Sequence, residues 1–108
     1  MKTEMKVLLY LKKSEKDADN LCPVMGKITV RGDKNTFVQF ASKIKVNPDL
    51  WNATSQRCTG KSRASVKINR EIESLLLLIR SRFNEVIDYN NIVTATDVKN
   101  AFQGITAA

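Results

Sequence analysis

The sequence predicts an α+β fold, a three-stranded antiparallel sheet packed against a long C-terminal helix, with a short final helix after it. Three observations carry this. Period-two alternation runs through Met5–Lys12, Pro23–Arg31 and Phe37–Val46, the mark of half-buried strands. A helical period follows, with Ile68, Ile72, Leu75, Ile79, Phe83 and Val86 spaced by four, three, four, four and three residues along one face. Finally, 108 residues with 43% apolar content suit one small domain with a modest core.

The first strand sets Met5, Val7, Leu9 and Leu11 against Lys6, Leu8, Tyr10 and Lys12. Lys13 to Leu21 then reads as an irregular polar loop of Ser, Glu, Asp and Asn. In the second strand Val24, Ile28 and Val30 face one way, and Met25, Lys27, Thr29 and Arg31 the other. Gly32-Asp33-Lys34-Asn35 is a turn that makes a hairpin with the third strand. There Phe40, Ser42, Ile44 and Val46 alternate with Gln39, Ala41, Lys43 and Lys45. Pro48 cannot donate a ladder hydrogen bond, so the strand ends near Asn47 and the sheet spans 4–46. Leu50 and Trp51 follow as a bulky pair suited to turning the chain back over the sheet.

Ala53 to Lys61 shows no periodicity and reads as a polar connection. The long helix runs from about 62 to 89, with Ser62 as its cap. Its band Leu75–Ile79 is apolar all round, more than one small sheet covers. Leu77 or Leu78 therefore either meets another domain or chain or adds a second layer to the same core. Thr94 or Thr96 caps the last helix, which runs to about Gln103 with Gly104 as its stop, and Val98, Ala101 and Phe102 line one side. The chain stops four residues later, and it is expected to be cut from something longer.

Charge points to a partner. Lys and Arg number 18 against 11 Asp and Glu, a net charge of +7, which favours an anionic partner and nucleic acid above all. Residues 1–60 hold 11 basic and 6 acidic side chains, against 7 and 5 in 61–108. The sheet half therefore carries most of the excess. If the strands pair antiparallel, their outer face collects Lys6, Tyr10, Lys12, Lys27, Thr29, Arg31, Gln39, Lys43 and Lys45, with no acidic member. A small sheet can enter a DNA major groove, where lysines set register on phosphates and short polar groups such as Thr29 and Gln39 reach base edges. The bland alternative is a solvated sheet face.

Other chemistry is poorly provided for. The chain has no histidine, and Cys22 and Cys58 stand far apart, so neither a structural metal nor a histidine-based acid-base or nucleophile pair is expected, and no cofactor. Thr59-Gly60-Lys61-Ser62 matches the end of a phosphate-binding P-loop, but position 55 is Ser55 where that motif needs glycine, and no buried strand precedes it. Lys61 and Arg63 flank a helix start, where cations oppose the helix dipole unless an anion is present. The apolar run Val7–Leu11 is too short to be a signal peptide or a membrane span. The expectation is a non-enzymatic, cytoplasmic protein with reduced thiols, no membrane association and no small-molecule substrate.

The segments Met5–Lys12, Cys22–Val30, Phe40–Trp51 and Gly60-Lys61-Ser62 with Ile68-Asn69 occur in an order and spacing that resembles a known family. This is the N-terminal arm-binding region of tyrosine recombinases from Bacteroides-type mobile elements, the integrases of conjugative transposons and related transposases. The resemblance covers roughly residues 4–104. It implies a sheet and packed helix binding arm-type sites on double-stranded DNA over residues 1–90, with 91–108 opening a truncated helical core-binding domain. It also implies that the catalytic residues lie further on, so neither Tyr10 nor Tyr89 inherits a nucleophile role. Other recombinase subunits are expected partners. Two further readings compete: an interaction module that assembles subunits through Leu75–Ile79, and RNA binding. The outer face has only Tyr10 and Phe37 as rings, too few for a single-strand stacking platform.

Overall fold

A computed structural model describes residues 3–32, 35–89 and 93–103. Strands β1 (Glu4–Leu11), β2 (Cys22–Arg31) and β3 (Thr36–Val46) form an antiparallel sheet in the order β1-β2-β3. Helix α1 (Arg63–Tyr89) and helix α2 (Ala95–Phe102) follow. The α+β class and the facing of the strand residues are those expected from the alternation. On β3, Phe40, Ile44 and Val46 are buried while Gln39, Ala41, Lys43 and Lys45 are exposed. On β2 the inward set extends to Cys22 and Gly26, and the outward residues Met25, Lys27 and Thr29 are half-buried. A central strand has neighbours on both sides, so its outer face is partly covered.

The chain condenses into two units, and β1, β2, β3 and α1 each contribute to both. The first comprises the described residues within Met1–Val7, Lys27–Phe40 and Leu76–Ala108. Its core contains Ile28, Val30, Phe40, Ile79, Phe83, Val93 and Val98. Thr94 caps α2 in a reciprocal capping box with Asp97, which settles the choice between Thr94 and Thr96. The helix is anchored on β3, because the Ala95 amide donates to Thr36 Oγ1 at 2.8 Å and the rings of Phe40 and Phe102 meet edge to face at 5.0 Å. Ile79 is buried, but Leu77 is 68% exposed and Leu78 is also exposed, so one side of the all-round apolar band is left uncovered among the described residues.

The second unit comprises Leu8–Gly26 and Ala41–Leu75. Its core holds Leu9, Cys22, Val24, Ile44, Val46, Cys58 and Ile72, and both cysteines are free and buried. Two regions expected to be irregular are ordered here. The polar segment 53–61 contains the end of a small hairpin, in which β4 (Trp51–Asn52) pairs antiparallel with β5 (Arg57–Cys58). Two-residue strands are too short to show a period, so alternation could not reveal them. The hairpin is fixed to α1 by Asn69, whose side chain accepts from the Cys58 amide (2.7 Å) and donates to the Cys58 carbonyl (3.1 Å). A helix side chain thus supplies both bonds that a neighbouring strand would make. Arg57 adds an ion pair to Glu73 at 2.5 Å. At the start of α1, Ser62 Oγ accepts from the Ser65 amide, and buried Ser65 donates to the Thr59 carbonyl. Ser62 is therefore the cap, as expected. Gly60 before it has φ +82°, a conformation that favours glycine.

The loop between β1 and β2 is organised by Asp17. Its Oδ1 accepts from the amides of Asp19 and Leu21, and its backbone amide donates to the Leu21 carbonyl. Polar composition gave no hint of this closed turn, because it depends on which carboxylate points inward.

Candidate nucleic-acid interface

Each unit carries part of the outer sheet face. In the first, β1 presents exposed Lys6, β2 presents Lys27, Thr29 and exposed Arg31, and β3 presents exposed Gln39. Lys6 and Arg31 make no ion pair among the described residues. Beside them Phe37 is 65% exposed, with the Lys27 ammonium 4.7 Å above its ring centre. This cation–π contact holds the Lys27 chain across the face. The parity of Phe37 with Gln39 places its ring on this face, and the cross-strand pairing with Lys27 is what gives the ring a role there. The face also contains an acid. Glu4 has the parity and exposure of Lys6, so this share is mixed at its β1 end.

In the second unit Tyr10 is half-buried, and Lys12, Lys43 and Lys45 are exposed. Two of these cations already have partners. Lys12 Nζ lies 2.9 Å from Glu15, whose hydrogen bond and charge raise the Lys12 pKa, and Lys45 Nζ lies 3.1 Å from Asp17. Asp17 is held below the usual carboxylate range, first by the Leu21 amide and then by Lys45. Both acids come from the β1–β2 loop, which strand alternation does not cover. Exposed ion pairs of this kind contribute little to stability, and an incoming phosphate can exchange with the carboxylate.

Lys43 differs from the rest. It has φ +68° in the middle of β3, the left-handed region that a lysine seldom occupies. Ser42 stitches the ladder across this bend, since its hydroxyl donates to the Val24 carbonyl at 2.6 Å and accepts from the Ile44 amide at 3.1 Å. Such a local break re-aims a side chain without ending the strand. Among the described residues Lys43 makes no ion pair.

A small α+β scaffold whose exposed strands carry lysine, arginine, glutamine and threonine has the form of a polyanion-binding module. Compared with protein families, residues 9–99 match the model described as Arm DNA-binding domain. The chain belongs to that family. It is a DNA-binding domain of the kind recombinases carry, and the family's module is not the catalytic one. Comparison with curated proteins and with solved structures returned no match. No helix among the described residues is long and apolar enough to cross a membrane.

Proposed function

We propose that this domain binds arm-type sites on double-stranded DNA in a sequence-specific manner, with the outer sheet face in the major groove. Lys6, Lys12, Lys27, Arg31, Lys43 and Lys45 neutralise phosphates and set the register. Gln39 and Thr29 reach base edges, and Tyr10 packs beside the backbone. The parent protein is a tyrosine recombinase of a Bacteroides-type mobile element, an integrase or transposase acting in the bacterial cytoplasm. The domain positions its subunits on the element's ends while the chemistry happens elsewhere. Residues 1–90 form the arm-binding domain and 91–108 open the core-binding domain, with α2 tied to β3 through Thr36 and Phe102.

The observation that carries this reading is the family match together with the exposed cations Lys6, Arg31 and Lys43 on the sheet, which make no ion pair among the described residues. The test is a salt titration of binding to an arm-type duplex from the element's ends, beside a scrambled duplex. Tighter binding to the arm site, falling steeply with salt, is expected. Equal affinity for both duplexes removes sequence specificity, and binding to neither near physiological salt removes the proposal for this domain. Exposed Leu77 and Leu78 favour a second reading, in which the Leu75–Ile79 band assembles subunits. In that case Lys27→Ala, Arg31→Ala and Lys43→Ala leave assembly intact, whereas Leu77→Ser disrupts it.

A further inference from the structure

β1 lies at an edge of the sheet. The Lys12 amide, just past its end, donates to the Pro23 carbonyl of β2, whereas the Leu9 amide donates away from the sheet to Gln56 Oε1 at 2.8 Å. Backbone direction alternates along a strand. Even-numbered residues of β1 therefore turn their amides and carbonyls to β2, and odd-numbered ones turn theirs outward. Gln56 occupies the outward amide of Leu9, while those of Met5 and Val7 point to the free edge. Beside them lies an open groove lined by Met5, Lys6, Arg80, Phe83 and Asn84, among others, and among the described residues no strand pairs with this edge. A free edge is a template for another strand.

We propose that the strand it takes is the same edge of a second copy, antiparallel and centred on Met5. The sequence Thr3-Glu4-Met5-Lys6-Val7 is self-complementary about that point. With Met5 opposite Met5 of the second copy, Glu4 faces Lys6 of the second copy, and Lys6 faces Glu4. Met5 pairs through both outward backbone groups, and Thr3 and Val7 pair with each other in the same way. The Glu4–Lys6 pairs fall at the non-hydrogen-bonded positions, where opposed side chains come closest. All four charges lie on the outer face, while the Met5 side chains meet over the groove. Shifting the centre to Val7 sets Lys6 opposite Leu8 and Glu4 opposite Tyr10, leaving the charges unmatched. The occupied Leu9 amide also opposes longer pairing. The Met5-centred register is thus favoured by both charge and hydrogen bonding, and it brings the outer faces of two copies onto the same side.

Sedimentation equilibrium of the 108-residue chain over a concentration series tests this. The mass is expected to rise from 12.2 kDa toward twice that value. Glu4→Lys and Lys6→Glu each turn two attractive pairs into two like-charge pairs, which weakens self-association on the order of tenfold, and combining them restores it. A Met5→Cys variant supplies an independent reading. Opposed hydrogen-bonded positions lie about 5.5 Å apart between Cα atoms, within disulfide reach, so oxidation should give a cross-linked dimer through that residue. The proposal is overturned if the chain stays at monomer mass throughout. It is equally overturned if the single reversals associate like the parent, if the double reversal fails to recover, or if Met5→Cys does not cross-link.

Discussion

Lys43 shows most directly how one backbone angle can serve a side chain. A non-glycine residue in the left-handed region costs roughly 1–2 kcal/mol, and Lys43 keeps it because Ser42 repairs the ladder on either side. Replacing Lys43 by glycine removes that strain at some cost in chain entropy. A urea melt is expected to show a gain of up to about 1 kcal/mol, while affinity for the arm duplex falls. A loss of stability would mean that the lysine side chain itself supports the bend. Asp17 gives the second prediction at this scale. Its pKa is lower in the folded chain than the ordinary value of 3.8, so the unfolded chain takes up the proton first. Its contribution is fully present above that ordinary value and is lost as pH falls through the depressed one. Urea melts across the acid range should show this pH dependence in the parent and its loss in Asp17→Asn. Neither feature was legible beforehand, since parity places Lys43 on the outer face but says nothing of φ, and Asp17 looks like any loop carboxylate.

At the level of elements, Asn69 converts a helix face into a strand partner. It lies beside Ile68 in a stretch already noted for its resemblance to arm-binding regions, yet helical spacing alone makes it an ordinary polar residue. Truncation to alanine strands the backbone groups of buried Cys58, which costs about 1–3 kcal/mol. Chemical denaturation of Asn69→Ala should show that loss. Exchange of the Cys58 and Arg57 amides should speed up before that of β2 if the hairpin opens locally. The longer elements were legible because their periods repeat. Ile72, Ile79 and Phe83 of α1 are buried as the four-three spacing requires, with Ile68, Leu75 and Val86 half-buried along the same side. The hairpin β4–β5 was not, because two residues cannot display a period of two.

At the scale of the whole molecule, the partner matters more than the fold. DNA releases counterions for each phosphate neutralised, so the logarithm of affinity falls with that of salt at about 0.9 per contact. Arg31→Ala and Lys43→Ala should each lower that slope by roughly one. Phe37→Ala should weaken binding by freeing Lys27, yet leave the melting midpoint nearly unchanged, since the ring is 65% exposed. An unchanged affinity would mean that the cation–π contact has no part in the interface. Lys12→Ala and Lys45→Ala are expected to have smaller effects, because Glu15 and Asp17 must first be displaced.

The sequence by itself determined the α+β class, the order and facing of three strands, the long helix and its Ser62 cap, and the basic character of the sheet. Each of these is written locally, in a repeat of two or of 3.6 residues, in a capping side chain, or in a charge count. The tertiary structure alone decided which lysines lack an ion-pair partner among the described residues, how Phe37 pairs with Lys27, how Asn69 holds β5, and that no described strand pairs with the Met5–Val7 edge. Those facts depend on residues far apart in the chain coming within a few ångströms, and no local period encodes such distances.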